Sequence, residues 1–112
     1  MATKINFNGE IHDQLSISVL DHGFLFGDSV YEVVCTFINQ PCFLDKHLDR
    51  LFASAKAISL NIPHDNEWFL EQLKVTLGAA DNDESYIRII VTRGVGEINI
   101  DPSTCHSPNI II

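Results

Sequence analysis

The stretch DHGFLFGDSVYEVV, residues 21–34, decides how the rest of the chain is read. Gly23 and Gly27 stand four apart among Phe24, Phe26 and Tyr31, and the stretch then becomes a β-branched run with Glu32 inside it. A plain turn needs one glycine. Glycine permits positive φ or a close backbone approach, so the stretch is either a loop feeding a buried strand or one wall of a binding site. GFLFGDS lacks the lysine of a phosphate-binding P-loop and opens no helix, which excludes that motif.

Working outward, SVYEVVCTFI (residues 29–38) is rich in β-branched and aromatic residues and reads as a strand. Asn39 to Pro41 turns it, and PCFL returns as its partner. Upstream, KINFNGEI alternates around Asn8-Gly9, a two-residue hairpin signal. Downstream, Asp45 is placed to cap a helix whose buried stripe is Leu48, Leu51, Phe52, Ala55 and Ile58. Pro63 ends the link, and Asp65 caps a second helix with the stripe Phe69, Leu70, Leu73 and Leu77. Gly78 is placed to stop it. SYIRIIVTRG is a strand: Ile87, Ile89 and Val91 point one way, and Tyr86, Arg88, Ile90 and Thr92 the other. NIII is a last strand. This order predicts an α+β domain, a largely antiparallel sheet with two helices on one face.

A chain of 112 residues is one domain by length. Its net charge of −8 argues against a nucleic-acid surface, which needs a basic face to neutralise phosphates. It leaves room for a single arginine binding one small anion. Cys35, Cys42 and Cys105 cannot all pair within the chain and form no CxxC, so reduced thiols in a cytoplasmic protein are the simpler reading. Five histidines show no metal-ligand spacing, so no metal site is assigned. The start is not a signal peptide, and the longest apolar run is far short of a membrane span. The ending on Ile110, Ile111 and Ile112 suggests the first domain of a longer protein.

Few residues could carry chemistry. His47, Arg50 and Ser54 share one helix stripe away from the leucines, either as a solvated face or as an anion site built on a guanidinium fork. Arg88 lies within a strand beside Tyr86, facing either water or an anionic ligand in a cleft. Glu32 needs a partner or an exposed edge, and both an ion pair that fixes the loop and a catalytic role stand open. Arg93, near the strand end on the opposite face, has no special claim. No Ser-His-Asp order or pair of acids at useful spacing occurs. None of Lys4, Lys46, Lys56 and Lys74 lies in a convincing pocket context.

Taken in order, DHGFLFGDSVYE, HLDRLFASAKAISLNIP and YIRIIVTRGVGEINIDP resemble the N-terminal domain of the class IV (fold-type IV) pyridoxal-phosphate enzymes. That family comprises the branched-chain aminotransferases, the D-amino-acid aminotransferases and the 4-amino-4-deoxychorismate lyases. The resemblance covers nearly the whole chain. It implies that residues 1–112 are the small domain, with the larger cofactor domain outside this chain. It implies pyridoxal 5'-phosphate as cofactor, an amino acid or aminodeoxychorismate as substrate, and a homodimer. It further implies that Phe26, Tyr31 and Val33 line the substrate pocket, that Arg50 holds the cofactor phosphate, and that Tyr86 and Arg88 shape the pocket and bind a substrate carboxylate. The loop from Gly94 to Asp101 would lie near the dimer interface and close over a neighbouring site. No catalytic residue is expected within this chain, because the family's cofactor-bearing lysine belongs to the C-terminal domain. Where D-amino-acid aminotransferases carry an arginine and a histidine after TRG, this chain has Ile98 and Ile100. YIR and RGVGEINIDP lean towards the branched-chain type, and GDSVYEVV leans back towards the D-amino-acid type. The expectation is therefore an aminotransferase of branched-chain type. The rivals are a lyase releasing pyruvate and 4-aminobenzoate, and a non-catalytic dimerisation or binding domain that kept the fold.

Overall fold

The computed structural model describes all 112 residues, Met1–Ile112. Six strands form one sheet: β1 (Ile5–Phe7), β2 (Glu10–His12), β3 (Ser29–Phe37), β4 (Gln40–Pro41), β5 (Tyr86–Thr92) and β6 (Asn109–Ile111). Their order is β2-β1-β6-β5-β3-β4, and every pair is antiparallel. Two long helices, α2 (Leu44–Ala57) and α3 (Asn66–Ala80), cover one face, as the element order predicts. A short helix, α1 (His22–Phe26), precedes β3.

The strand alternation sorts the residues by face. Val30, Val34, Ile87, Ile89 and Val91 point to the helices and join Leu48, Leu51, Ala55, Phe69 and Leu73 in one core. Each fully buried aliphatic or aromatic side chain contributes roughly 1.5–3 kcal/mol over leaving it in water. Phe52 and Phe69 meet edge to face at 5.7 Å and join α2 to α3. Buried Asn6 ties the sheet to α3, its amide donating to Gln72 Oε1 and Thr76 Oγ1 while its Oδ1 accepts from Gly9 N.

The Asn8-Gly9 hairpin forms as read, both residues having positive φ. The second hairpin turns earlier than expected, at Ile38-Asn39 (φ 51° and 55°), so the returning strand is only Gln40–Pro41. This brevity also moves the start of α2. Its N-cap is Phe43, left-handed at φ 53° with no side-chain cap, and Asp45 lies in the first turn. There its charge opposes the positive end of the helix dipole instead of capping a backbone N–H. In α3, Asp65 caps as expected by accepting from Trp68 N. Gly78 does not stop the helix, which runs to Ala80 and ends at left-handed Asp81, whose N–H donates to Leu77 O. A short polar side chain tolerates that backbone without glycine. Ile58 and Leu70 stay exposed, and Thr76 takes an inward place, its hydroxyl bonded to Gln72 O.

The aromatic stretch also departs from the loop expectation. It forms α1, capped by the Asp21 side chain accepting from Gly23 N and ended at Gly27 with φ 66°. The two glycines therefore serve different ends. Gly27 supplies the left-handed stop, while a Cβ on Gly23 would stand 2.7 Å from Thr92 Cγ2. The isoleucine run at 110–112 owes its apolar character to its place. β6 lies in mid-sheet between β1 and β5, with Ile110 and Ile112 buried.

Candidate functional site

Chemistry-bearing residues gather on both sides of the β3–β5 pair. On the covered side, Glu32 faces α2 with its side chain 5% exposed. It accepts from Arg50 Nε at 2.8 Å through Oε2 and from Arg50 Nη2 at 2.8 Å through Oε1, and Oε1 also accepts from His47 Nδ1 at 2.7 Å. A buried carboxylate costs several kcal/mol unless it is paired, and here three donors serve its two oxygens. The Arg50 fork, with His47 adding to it, holds the Glu32 carboxyl below its ordinary value despite burial, and Glu32 in turn raises that of Arg50. The Arg50 side chain is nevertheless 69% exposed. Two of its five N–H donors are spent on Glu32, and the other three face outward on an oriented plane. Of the stripe His47, Arg50 and Ser54, the first two are thus joined through Glu32.

On the open side, β3 and β5 pair Tyr31 with Ile90, Val33 with Arg88, and Cys35 with Tyr86. Side chains opposite or diagonal on one face are within reach of each other. The Arg88 guanidinium lies over the Tyr31 ring, 4.9 Å from its centroid, a cation–π contact. Tyr31, Val33, Tyr86 and Arg88 therefore share one face, as the alternation predicts, and Tyr31 and Tyr86 are exposed. A largely apolar groove of about 620 Å³ runs along Ile5, Leu15, Ile17, Ile90 and Ile111, with Tyr86 and Arg88 also in its walls. Phe26, Tyr31, Val33 and Arg50 do not line it. Phe26 sits on α1, its ring edge-on to His22 at 4.9 Å. Arg50 stands on the opposite side of the sheet from Tyr31 and Arg88, as the alternation of Glu32 with its neighbours requires.

Arg93 has a clear place that its sequence context does not reveal. It donates to both Asp28 oxygens, at 2.9 and 3.1 Å, and to the Ile58 and Ser59 carbonyls at 2.7 and 2.9 Å. It thereby ties the end of β5 to the entry of β3 and the exit of α2. The carbonyls left over at a helix end are a natural target for such a cation, but only the fold brings that helix end to residue 93. Asp21 and His22 are likewise buried, although the sequence reading drew only on the glycines and aromatics beside them.

Comparison with known proteins agrees with these features. The family model for amino-transferase class IV matches residues 29–112. A putative branched-chain-amino-acid aminotransferase of Methanocaldococcus jannaschii is 38% identical over 109 residues, covering 96% of this chain and 38% of its own length. The branched-chain amino acid aminotransferase of Escherichia coli superposes with a TM-score of 0.89 at 23% identity, over 99% of this chain and 38% of that one. The 4-amino-4-deoxychorismate lyase of Pseudomonas aeruginosa superposes with a TM-score of 0.74 at 27% identity, over 96% of this chain and 37% of that one. This chain thus spans about 38% of the length of the curated relative. With the family model matched over four strands, both long helices and the Glu32–Arg50 pair, the chain belongs to the class IV aminotransferase family.

Proposed function

We propose that residues 1–112 are the N-terminal domain of a pyridoxal-phosphate-dependent aminotransferase of branched-chain type. The carrying observation is Arg88 lying over Tyr31 on an open face shared with Val33 and Tyr86. One guanidinium among aromatic and aliphatic neighbours suits a substrate with a carboxylate at one end and an aliphatic side chain at the other. The similarity to the Methanocaldococcus jannaschii relative supports the branched-chain choice.

The residues present fit the cofactor. Arg50 offers three outward donors on a plane already oriented by Glu32, which suits a phosphate group. When bound, pyridoxal phosphate supplies an electron sink for charge developing at the substrate α-carbon. This chain's residues do the positioning: Arg50 anchors the phosphate, Arg88 orients the substrate carboxylate, and Phe26, Tyr31, Val33 and Tyr86 shape the pocket and exclude water. We assign no catalytic residue to this chain. Lys4 pairs with Asp13, and Lys46 lies over the Phe43 ring. We place the lysine that would hold the cofactor and move the substrate proton outside residues 1–112. The same reading makes the protein a homodimer, which the exposed Ile98 and Ile100 support, and places it in the cytoplasm, which its three free cysteines support. No helix is long and apolar enough to cross a membrane.

The likeness to the Pseudomonas aeruginosa lyase supports a second reading, elimination of pyruvate from 4-amino-4-deoxychorismate. The two separate in one experiment on the full-length protein. Glutamate formation from leucine and 2-oxoglutarate is the expected result. Pyruvate release from 4-amino-4-deoxychorismate, without amino transfer, would replace the first reading with the second. A protein that does neither and binds no pyridoxal phosphate would be a non-catalytic dimerisation or binding domain.

A further inference from the structure

Asp21 and His22 form a buried knot between the α1 wall and the loop that runs from Gly94 to Asp101. Both are fully buried. One Asp21 oxygen accepts from Gly23 N, and the other accepts from Thr92 Oγ1 at 2.9 Å and Asn109 Nδ2 at 2.8 Å. Three segments distant in sequence therefore meet at one carboxyl group: the start of α1, the end of β5 and the start of β6. His22 carries the connection into the loop. Its backbone N–H donates to Gly94 O at 2.9 Å, and its Nε2 donates to Glu97 O at 2.8 Å. A carbonyl can only accept, so Nε2 bears the hydrogen. The loop answers from its own side, Gly96 N donating to Leu20 O and Val95 bridging to Asp21.

The contact is too close to have arisen from loose packing. A Cβ on Gly96 would stand 2.6 Å from Cys105 Sγ, 2.6 Å from Thr104 Oγ1 and 2.7 Å from His22 Nε2. Immediately past this tight base the loop opens to solvent, with Ile98 and Ile100 both more than three-quarters exposed. The His22 ring also supports the Phe26 ring edge-on. One imidazole thus touches the wall through Phe26 and the loop through Glu97.

We propose that Asp21 and His22 are positioning residues, which join the Gly94–Asp101 loop to the Phe26 wall so that both meet an aliphatic substrate as one rigid edge. The role rests on the aminotransferase reading above. Neither residue touches substrate; they act through the loop and through Phe26.

The test uses the full-length enzyme loaded with pyridoxal phosphate. His22→Leu removes the donor to Glu97, and His22→Gln keeps an amide donor at a similar reach. Amide hydrogen exchange should quicken at least tenfold in residues 94–101 of His22→Leu, leaving the β3 and β5 peptides unchanged. The KM for leucine should rise three- to tenfold, with kcat within twofold and cofactor content intact. His22→Gln should recover most of both effects. Gly96→Ala pushes the loop off from the other side and should reproduce the same pattern, which keeps the test open if His22→Leu does not fold. Unchanged loop exchange in an active His22→Leu or Gly96→Ala enzyme would overturn the knot. Faster exchange with an unchanged KM would overturn its positioning role. A wild-type protein without amino-transfer activity would instead overturn the aminotransferase reading, and the positioning role would fall with it.

Discussion

The two faces of β3 and β5 are built from the same residues in alternation, yet they are organised by opposite rules. On the covered face the buried charge is matched: Glu32 takes hydrogen bonds from Arg50 and His47. On the open face Tyr31, Tyr86 and Arg88 are exposed, and the one close electrostatic contact is a guanidinium over a ring. The difference separates residues that hold the fold from residues left free to meet a ligand. Substitutions on the covered side should cost folding free energy, and those on the open side should cost ligand binding. The Arg50 guanidinium combines the two roles on the covered side, since part of it is bound to Glu32 and the rest is exposed.

The largest effect is expected at the core of the covered face. Leu51→Ala in the full-length protein should lower stability by about 2–5 kcal/mol, as a fully buried leucine leaves a cavity. Urea unfolding measures it, and a loss below 1 kcal/mol would mean that α2 is not anchored as described. Glu32→Ala comes next, at about 2–3 kcal/mol, because Arg50 and His47 lose their acceptor. Its pH dependence has a definite sign. Arg50 above all, with His47, holds the Glu32 carboxyl below its ordinary value of 4.5. A carboxyl shifted down stabilises the fold fully above that ordinary value and stops doing so as pH falls through the lowered one. The gap between wild type and Glu32→Ala should therefore close as pH falls below about 4.5. A gap that widens below that pH would contradict the pairing.

Arg50→Ala probes the residue that combines the two roles. Pyridoxal-phosphate affinity should fall on the order of tenfold to a hundredfold, the loss of a charge-assisted fork of roughly 1.5–3 kcal/mol. Titration of the full-length protein with cofactor reads it, and unchanged affinity would reduce Arg50 to a structural partner of Glu32. Arg88→Ala should raise the substrate KM about tenfold, with cofactor content and unfolding midpoint unchanged. Arg93→Ala should behave the other way round, lowering the midpoint because Asp28 and two carbonyls lose their donor. Equal kinetic effects at both arginines would erase the distinction between the faces. The smallest effect belongs to Tyr86→Ala, whose exposed ring should change stability by no more than about 0.5 kcal/mol. A larger loss would show that the open face is packed in the whole protein.

By itself the sequence determined the class of fold, the two helices with their Leu48, Leu51, Phe69 and Leu73 stripe, and the division of Tyr86, Arg88 and Ile90 from Ile87, Ile89 and Val91. These follow from periods of 2 and 3.6, which are local properties of the backbone and legible in any window of a dozen residues. The Asn8-Gly9 turn was legible for the same reason, since two adjacent residues set its φ values. Helix ends were less so. Asp45 and Gly78 are suitable capping residues, but a two-residue β4 and the tolerance of Asp81 for left-handed backbone moved the ends elsewhere. Only tertiary structure decided which charges would meet. Glu32 finds Arg50 18 residues on, Arg93 finds Asp28 65 residues back, and Asp21 finds Asn109 88 residues on. The period of a strand states which face a carboxylate points to, and says nothing of what the chain later lays across that face. A buried charge must be paired, so the need for a partner was local, while the identity of the partner depended on how the helices and β6 close around the sheet.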